Sequence, residues 1–190
     1  MKTSSGVHSL RVAAGFTMVE CAVACCFIFT VTGFALLNIQ GILPGMRANE
    51  ASSQILAQLR TGRELAISQR RIIEVRFVGN NQVEFVRADV PSGTTLLSRA
   101  TLGNSFEFQV FSAVPDTPDS FGKAAAVDFR GASRLFFLSD GTFVDLQGNP
   151  LNGSIFLGLP GHPETARAVT ILGATGRVRA YRWTGSKWIQ

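Results

Sequence analysis

The sequence predicts an α+β chain: one long N-terminal helix followed by an antiparallel two-sheet β domain. Three observations carry that expectation. No charged residue occurs from Cys21 to Met46. Ala48, Ala51, Ile55, Leu59, Gly62 and Ala66 then recur at spacings of three and four, the period of one helix face. After Arg71 the period falls to two, with turn residues between short apolar segments, the pattern of strands.

The totals bound the class. A chain of 190 residues holds one ordinary domain plus an appendage. At 46% hydrophobic and 16% charged residues it is globular or membrane-linked rather than disordered. The formal charge is +5; Lys2 and Arg11 precede Gly15, so 16 basic and 13 acidic residues remain from Phe16 onward, a charge of +3. That balance permits nucleic acid or anionic surfaces as partners. Cys21, Cys25 and Cys26 all lie in the apolar run, so the β region has neither a disulfide framework nor a thiolate zinc site. His8 and His162 are the only histidines, His162 in the loop-like "PGHPE". A lone histidine without thiols argues against a metalloenzyme or a triad. Asp140-Gly141 reads as a turn, because a calcium loop needs a run of oxygen ligands. Asp145 and Glu164 are expected to have no paired acid or histidine close in sequence, and no catalytic site is expected there. The expectation is a protein without enzymatic activity, cofactor or metal.

The N-terminal segment sets the chain's place. Met1–Gly15 is polar and basic, with Lys2, His8 and Arg11. Cys21–Leu37 is 17 residues, near the lower limit for a span, and Phe16–Leu43 is long enough, at about 1.5 Å per residue, to cross a core of about 30 Å. The basic flank stays cytoplasmic by the positive-inside tendency, which puts the C-terminal domain outside the cytoplasm. Glu20 interrupts the apolar run. A carboxylate at the centre of a membrane helix costs roughly 2.5–3.5 kcal/mol on insertion scales, so it calls for a partner. The small-residue site "AAG" precedes the run rather than following it. "AVAC", ending at Cys25, leaves a lipoprotein anchored at Cys25 as an alternative.

"GFTMVE", Gly15 to Glu20, resembles the type III signal of the type IV filament superfamily, the pilins and the pseudopilins of type II secretion. The resemblance implies that a prepilin peptidase cuts between Gly15 and Phe16, and that Phe16 is then N-methylated. It implies an inner-membrane subunit with a periplasmic domain that joins a filament with other pilin or pseudopilin subunits through an assembly platform. Glu20 becomes the fifth mature residue, and its carboxylate is implied to meet the terminal amine of a neighbouring subunit in an apolar bundle, where such a pair interacts strongly. The alternative for Glu20 is an anion favoured by the dipole of a helix N-terminus.

Four segments follow: a leader at 1–15, a transmembrane half-helix at 16–43, an amphipathic half-helix at 44–71 and a β domain at 72–190. Pro44 in "GILPG" predicts a kink. Arg60, Arg63, Glu64 and Arg70 lie off the apolar stripe. Strands are expected at 72–78 and 82–88 around Gly79-Asn80-Asn81, at 105–111 and at 127–130. Two more, at 134–138 and 142–146, flank Ser139-Asp140-Gly141, and the last three lie at 154–159, 167–172 and 177–183. The stretch 113–126, with Pro115, Pro118 and Gly122, is expected to be a surface loop.

"LFFLSDGTFVDLQGNP" and "ARAVTILGATGRVRAY" resemble the GspH/FimT group of minor pilins and pseudopilins. From Arg167 onward the bases are Arg167, Arg177, Arg179, Arg182 and Lys187, with no acid; the region also holds the only Tyr and both Trp. Strand alternation puts Arg177, Arg179, Tyr181 and Trp183 on one face, about 6.5–7 Å apart. Guanidinium groups hold phosphate and aromatic rings stack on bases. In DNA-uptake pilins a G-R-x-R element is implicated in DNA binding, and the resemblance carries that role to Gly176, Arg177 and Arg179. A solvated strand face and a protein contact are the alternatives. The sequence thus points first to a minor pseudopilin at or near the tip of a type II secretion pseudopilus, and second to a DNA-binding minor pilin.

Overall fold

The computed structural model describes residues 17–89 and 91–190, and the side chains of those residues other than 34–41. The chain divides into two units, Met1–Gly41 and Ile42–Gln190. Helix α1, Met18–Gln69, has residues in both.

In the first unit α1 opens on a capping box. Thr17 N–H and Thr17 Oγ1 donate to Glu20 Oε2 at 2.8 and 2.9 Å, and Glu20 N–H donates to Thr17 Oγ1 at 3.2 Å. Two donors that the first turn cannot satisfy are thereby paired. Val19, Phe27, Ile28, Phe29 and Val31 are exposed. The hydroxyls of Thr30 and Thr32 donate back to the carbonyls of Cys26 and Ile28 at 2.7 Å, so these polar side chains need no outside partner. Among the described residues no helix is long and apolar enough to cross a membrane. The span read from the sequence includes the side chains of 34–41, and the leader includes Gly15; these and Phe16 lie outside the description.

In the second unit α1 continues through Pro44, which therefore does not end the helix. It ends at a Schellman turn: Arg71 N–H donates to Ala66 O at 3.2 Å and Arg70 N–H to Ile67 O at 3.3 Å, with Arg70 at φ 50°. The predicted stripe is buried at Ala48, Ala51, Ile55, Leu59 and Ala66. Gly62 completes it, because a Cβ there would run into the Phe85 ring.

The strands are β1 (Ile73–Val78), β2 (Gln82–Ala88), β3 (Thr94–Thr101), β4 (Glu107–Phe108), β5 (Val127–Asp128), β6 (Leu135–Phe137), β7 (Phe143–Val144), β8 (Gly153–Leu159), β9 (His162–Leu172), β10 (Arg177–Trp183) and β11 (Trp188–Ile189). Among the described residues they form two sheets, β3-β2-β1-β6-β7 and β11-β10-β9-β8-β4, with β5 also on β8; their pairings are antiparallel. The inner faces meet α1 in one core that includes Phe85, Phe137 and Phe143 from the first sheet and Ile155, Leu157, Val169 and Ile171 from the second.

Several expectations need correction, among them the strands at 127–130 and 142–146, which shorten to the two-residue β5 and β7, and the strand at 167–172, which starts at His162. β3 was not expected: "TTLLSRAT" lacks alternation, and its largely exposed pattern is that of an edge strand. β11 was not expected either. The strand expected at 105–111 shrinks to β4, because Gln109 onward enters the long loop. "PGHPE" is a tight hairpin, with Leu159 paired to His162 across Pro160-Gly161 and Gly161 at φ 80°. There His162 Nδ1 lies 2.8 Å from Glu164 Oε1, which corrects the expectation that Glu164 has no histidine partner close in sequence; the two exposed side chains stand two residues apart.

The segment 109–126 covers the outer face of the second sheet. Phe156, Ala168 and Tyr181 form a buried cluster there with Val110 and Trp188, and Phe111 lies over Gly158, where a Cβ would collide with its ring. The sheet is therefore covered on both faces, and β8 is buried at every position but the last.

Gly62→Ala tests the close approach of helix and sheet. The added methyl group is expected to cost about 1–3 kcal/mol by overpacking, read as a lowered thermal midpoint of the full chain in detergent by circular dichroism. An unchanged midpoint would show that Phe85 yields freely.

Candidate binding site

Two turns and one helix residue meet in the second unit. The β6–β7 turn is closed by Gly141 N–H donating to Leu138 O at 2.9 Å. Asp140 Oδ1 accepts from Thr142 N–H at 2.9 Å and Thr142 Oγ1 at 2.6 Å, so the acid serves its own turn. The β9–β10 turn is closed by Gly176 N–H donating to Gly173 O at 3.3 Å. Arg63 Nε donates to both turns, to Gly141 O and Thr175 O at 3.2 Å each. Gly141 stands at φ 85° and Gly176 at φ 60°. A Cβ at either would press on the Arg63 side chain, and at Gly176 also on Gly141 O. The "DG" and "G-R-x-R" segments, 35 positions apart in sequence, thus close over one arginine.

That arginine lines a cleft of about 510 Å³ with Arg60, Glu64, Thr175, Gly176, Arg177 and Val178. Arg60 and Arg177 are exposed and Arg63 is half-buried. Among the described residues none of the three arginines forms an ion pair.

Strand β10 departs from the expected open face. Arg177 is exposed, but Tyr181 is buried and Trp183 half-buried, edge-on to Trp188 at 5.5 Å. Arg179 Nη1 is bound to Asp119 Oδ1 at 2.6 Å. Asp119 Oδ2 also accepts from Thr170 Oγ1 at 2.6 Å and Tyr181 Oη at 3.0 Å. The physical reason is the loop: 109–126 lies over this face and brings its own carboxylate. The adjoining Tyr181 hydroxyl and the Asp119 charge raise the pKa of Arg179. Burial pushes the Tyr181 phenol up. Arg167 also leaves the expected basic surface. It is buried, and donates through Nε to Asn49 Oδ1 at 2.9 Å, through Nη2 to Gly45 O at 3.2 Å and through Nη1 to Ala166 O at 2.8 Å.

No protein-family model and no curated protein matches this sequence significantly. Solved structures do match in shape. The type IV minor pilin FimU of Pseudomonas aeruginosa PAO1 aligns at a TM-score of 0.50 and 17% identity, over 75% of this chain and 92% of FimU. The chain has a minor-pilin fold. The minor pseudopilin EpsH from the type II secretion system of Vibrio cholerae aligns at 0.47 and 19% identity, over 70% of this chain and 95% of EpsH.

Within this minor-pilin fold the sequence-predicted residues separate into two groups. Glu20 stands at the start of α1 in the first unit, exposed and bound to Thr17. Gly176 and Arg177 join the cleft, whereas Arg179, Tyr181 and Trp183 lie against the loop or the C-terminal strand. Sequence reasoning missed Asp119, which stands 60 positions from Arg179 with no local motif. It noted Arg60 and Arg63 only as lying off the apolar stripe. The Thr17–Glu20 capping box was legible as Thr-x-x-Glu before an apolar run.

Asp119→Asn has a spectroscopic readout, because Tyr181 is the only tyrosine. The carboxylate raises the phenol pKa and Arg179 lowers it. With Asp119 neutral, the Arg179 charge is uncompensated and the phenolate is favoured. The ionisation midpoint at 295 nm is expected to fall relative to wild type. A midpoint that stays or rises would mean that Asp119 does not set this environment.

Proposed function

We propose that this chain is a non-enzymatic minor pilin or pseudopilin. It is made as an inner-membrane precursor, cut by a prepilin peptidase between Gly15 and Phe16, methylated at Phe16, and incorporated at or near the tip of a filament. A type II secretion pseudopilus is the preferred system. Its partners are other pilin or pseudopilin subunits, the assembly platform and membrane lipid. The observation that carries the reading is a conjunction: a minor-pilin fold preceded by "GFTMVE", which runs into a helix with exposed apolar side chains. A nucleic-acid role through Arg177 and Arg179 has weaker support, since Asp119 already holds Arg179.

The intact mass of membrane-extracted protein tests the processing. Loss of residues 1–15 and one added methyl group are expected; acylation at Cys25 would sink the assignment.

Glu20 carries two roles that substitution separates. Glutamine still serves as the third-position partner of a capping box, but it has no charge to pair with the Phe16 amine. Glu20→Ala and Glu20→Gln are both expected to insert normally and to be largely absent from sheared filaments. Normal incorporation of Glu20→Gln would mean that capping suffices and that the charge pair is not needed.

A further inference from the structure

We propose that the cleft between α1 and the β9–β10 turn binds a short mixed-charge segment of a protein partner, one that offers carboxylates to Arg60, Arg63 and Arg177 and a cationic donor to Glu64. Three guanidinium groups line about 510 Å³ of space and, among the described residues, none has an acid within ion-pair distance. Three like charges with a single acid, Glu64, beyond pairing distance repel one another, and an incoming anion relieves that repulsion. Arg63 is pre-set for the task. Its Nε is committed to Gly141 O and Thr175 O, which holds the plane of the guanidinium and leaves the terminal Nη groups to form the fork that matches a carboxylate.

The carboxylates around the site choose between protein and nucleic acid. Glu64 lines the same cleft. On the other side of Arg177, Asp119 lines a second, smaller pocket with Arg177 and Arg179 and holds Arg179. A run of phosphates crossing Arg177 therefore meets an acid in either direction and has no donor to offer it. A peptide brings both signs, and the like-charge penalty against a polyanion gives the cleft its selectivity. The inference does not rest on the filament reading, because its readout is peptide binding by the chain itself.

The test is an NMR titration of the ¹⁵N-labelled full chain in detergent micelles. The probes are acetyl-Glu-Glu-Gly-Lys-amide, acetyl-Glu-Glu-Gly-Gln-amide and a ten-nucleotide oligothymidylate. The lysine peptide is expected to shift the Arg63 Nε–H signal and the amides of Thr175 to Val178, and to bind more tightly than the glutamine peptide. Arg60→Ala and Arg177→Ala, both at exposed positions, should each weaken it about two- to five-fold, the range for an exposed ion pair. Glu64→Gln should abolish the difference between the peptides. Tighter binding of the oligonucleotide than of either peptide at the same signals would overturn the proposal in favour of a phosphate site. So would an absence of shifts with both peptides, or affinities indifferent to Arg60→Ala and Arg177→Ala.

Discussion

The close approach of α1 to the β domain is the constraint on which the second unit depends. The residues that permit it are small: Ala48, Ala51, Gly62 and Ala66 occur along the buried stripe, with only Ile55 and Leu59 as larger knobs. With the Phe85 ring lying where a Gly62 side chain would be, polar groups flanking the stripe come within reach of the sheets. Gln58 Oε1 accepts from Ser98 Oγ at 2.8 Å and Gln69 Oε1 from Arg87 at 3.0 Å on the first sheet. Arg167 reaches from the second sheet to Asn49 and Gly45. Each such bond contributes only about 1 kcal/mol net. Their effect is positional: they fix the rotation of the helix about its axis, and so fix where Arg60, Arg63 and Glu64 emerge.

Covering the second sheet on both faces has its own consequence. A strand face that looks polar in sequence becomes an interior face once a loop lies on it, and its charges then need partners nearby. The loop 109–126 supplies one in Asp119. It also supplies the carbonyl of Pro115, which accepts from Trp188 Nε1 at 3.0 Å. Asp116 and Asp128 brace the loop by accepting from Gly122 N–H at 3.1 Å and Ala124 N–H at 2.7 Å. These local acceptors hold a segment with little regular structure in place over apolar side chains by pairing its amides at Gly122 and Ala124.

What the sequence made legible follows from the range of the forces involved. The stripe of α1 and strands β1, β2 and β10 could be read closely, because periodicity is local and one face of each meets the core. β3 could not, since an exposed edge strand carries no alternation. β8 and β9 offered a subtler signal: "SIFLGL" and "AVTIL" are continuous apolar runs, which is how strands buried on both faces read. Taken seriously, those runs imply a cover on the outer face and remove Tyr181 from the surface. The convergence of Gly141 and Gly176 on Arg63 was beyond local reading, because it joins three segments through the tertiary fold. The glycines themselves were visible, Gly141 as a turn and Gly176 as part of the G-R-x-R element, but not as neighbours.

Net charge is a poor guide to what this surface recognises. The +5 total is spent unevenly. Glu74, whose pKa is lowered chiefly by its hydrogen bond with Arg134, holds both Arg134 and Arg76, at 2.9 and 2.7 Å. Asp89 holds Arg87, and Glu84 holds Arg99. Arg167 is enclosed, its pKa pushed down to about 10 by burial and by the neighbouring Arg182 charge. Arg179 is paired. Among the basic residues that remain, Arg60, Arg63 and Arg177 gather where the helix and two turns meet, and even there Glu64 stands among them. At short range an interacting group responds to individual charges within a few ångströms rather than to the sum over the chain, because screening cuts exposed interactions off within about 8–10 Å. Recognition at this surface is therefore set by where the carboxylates stand among the arginines, which only the folded arrangement determines.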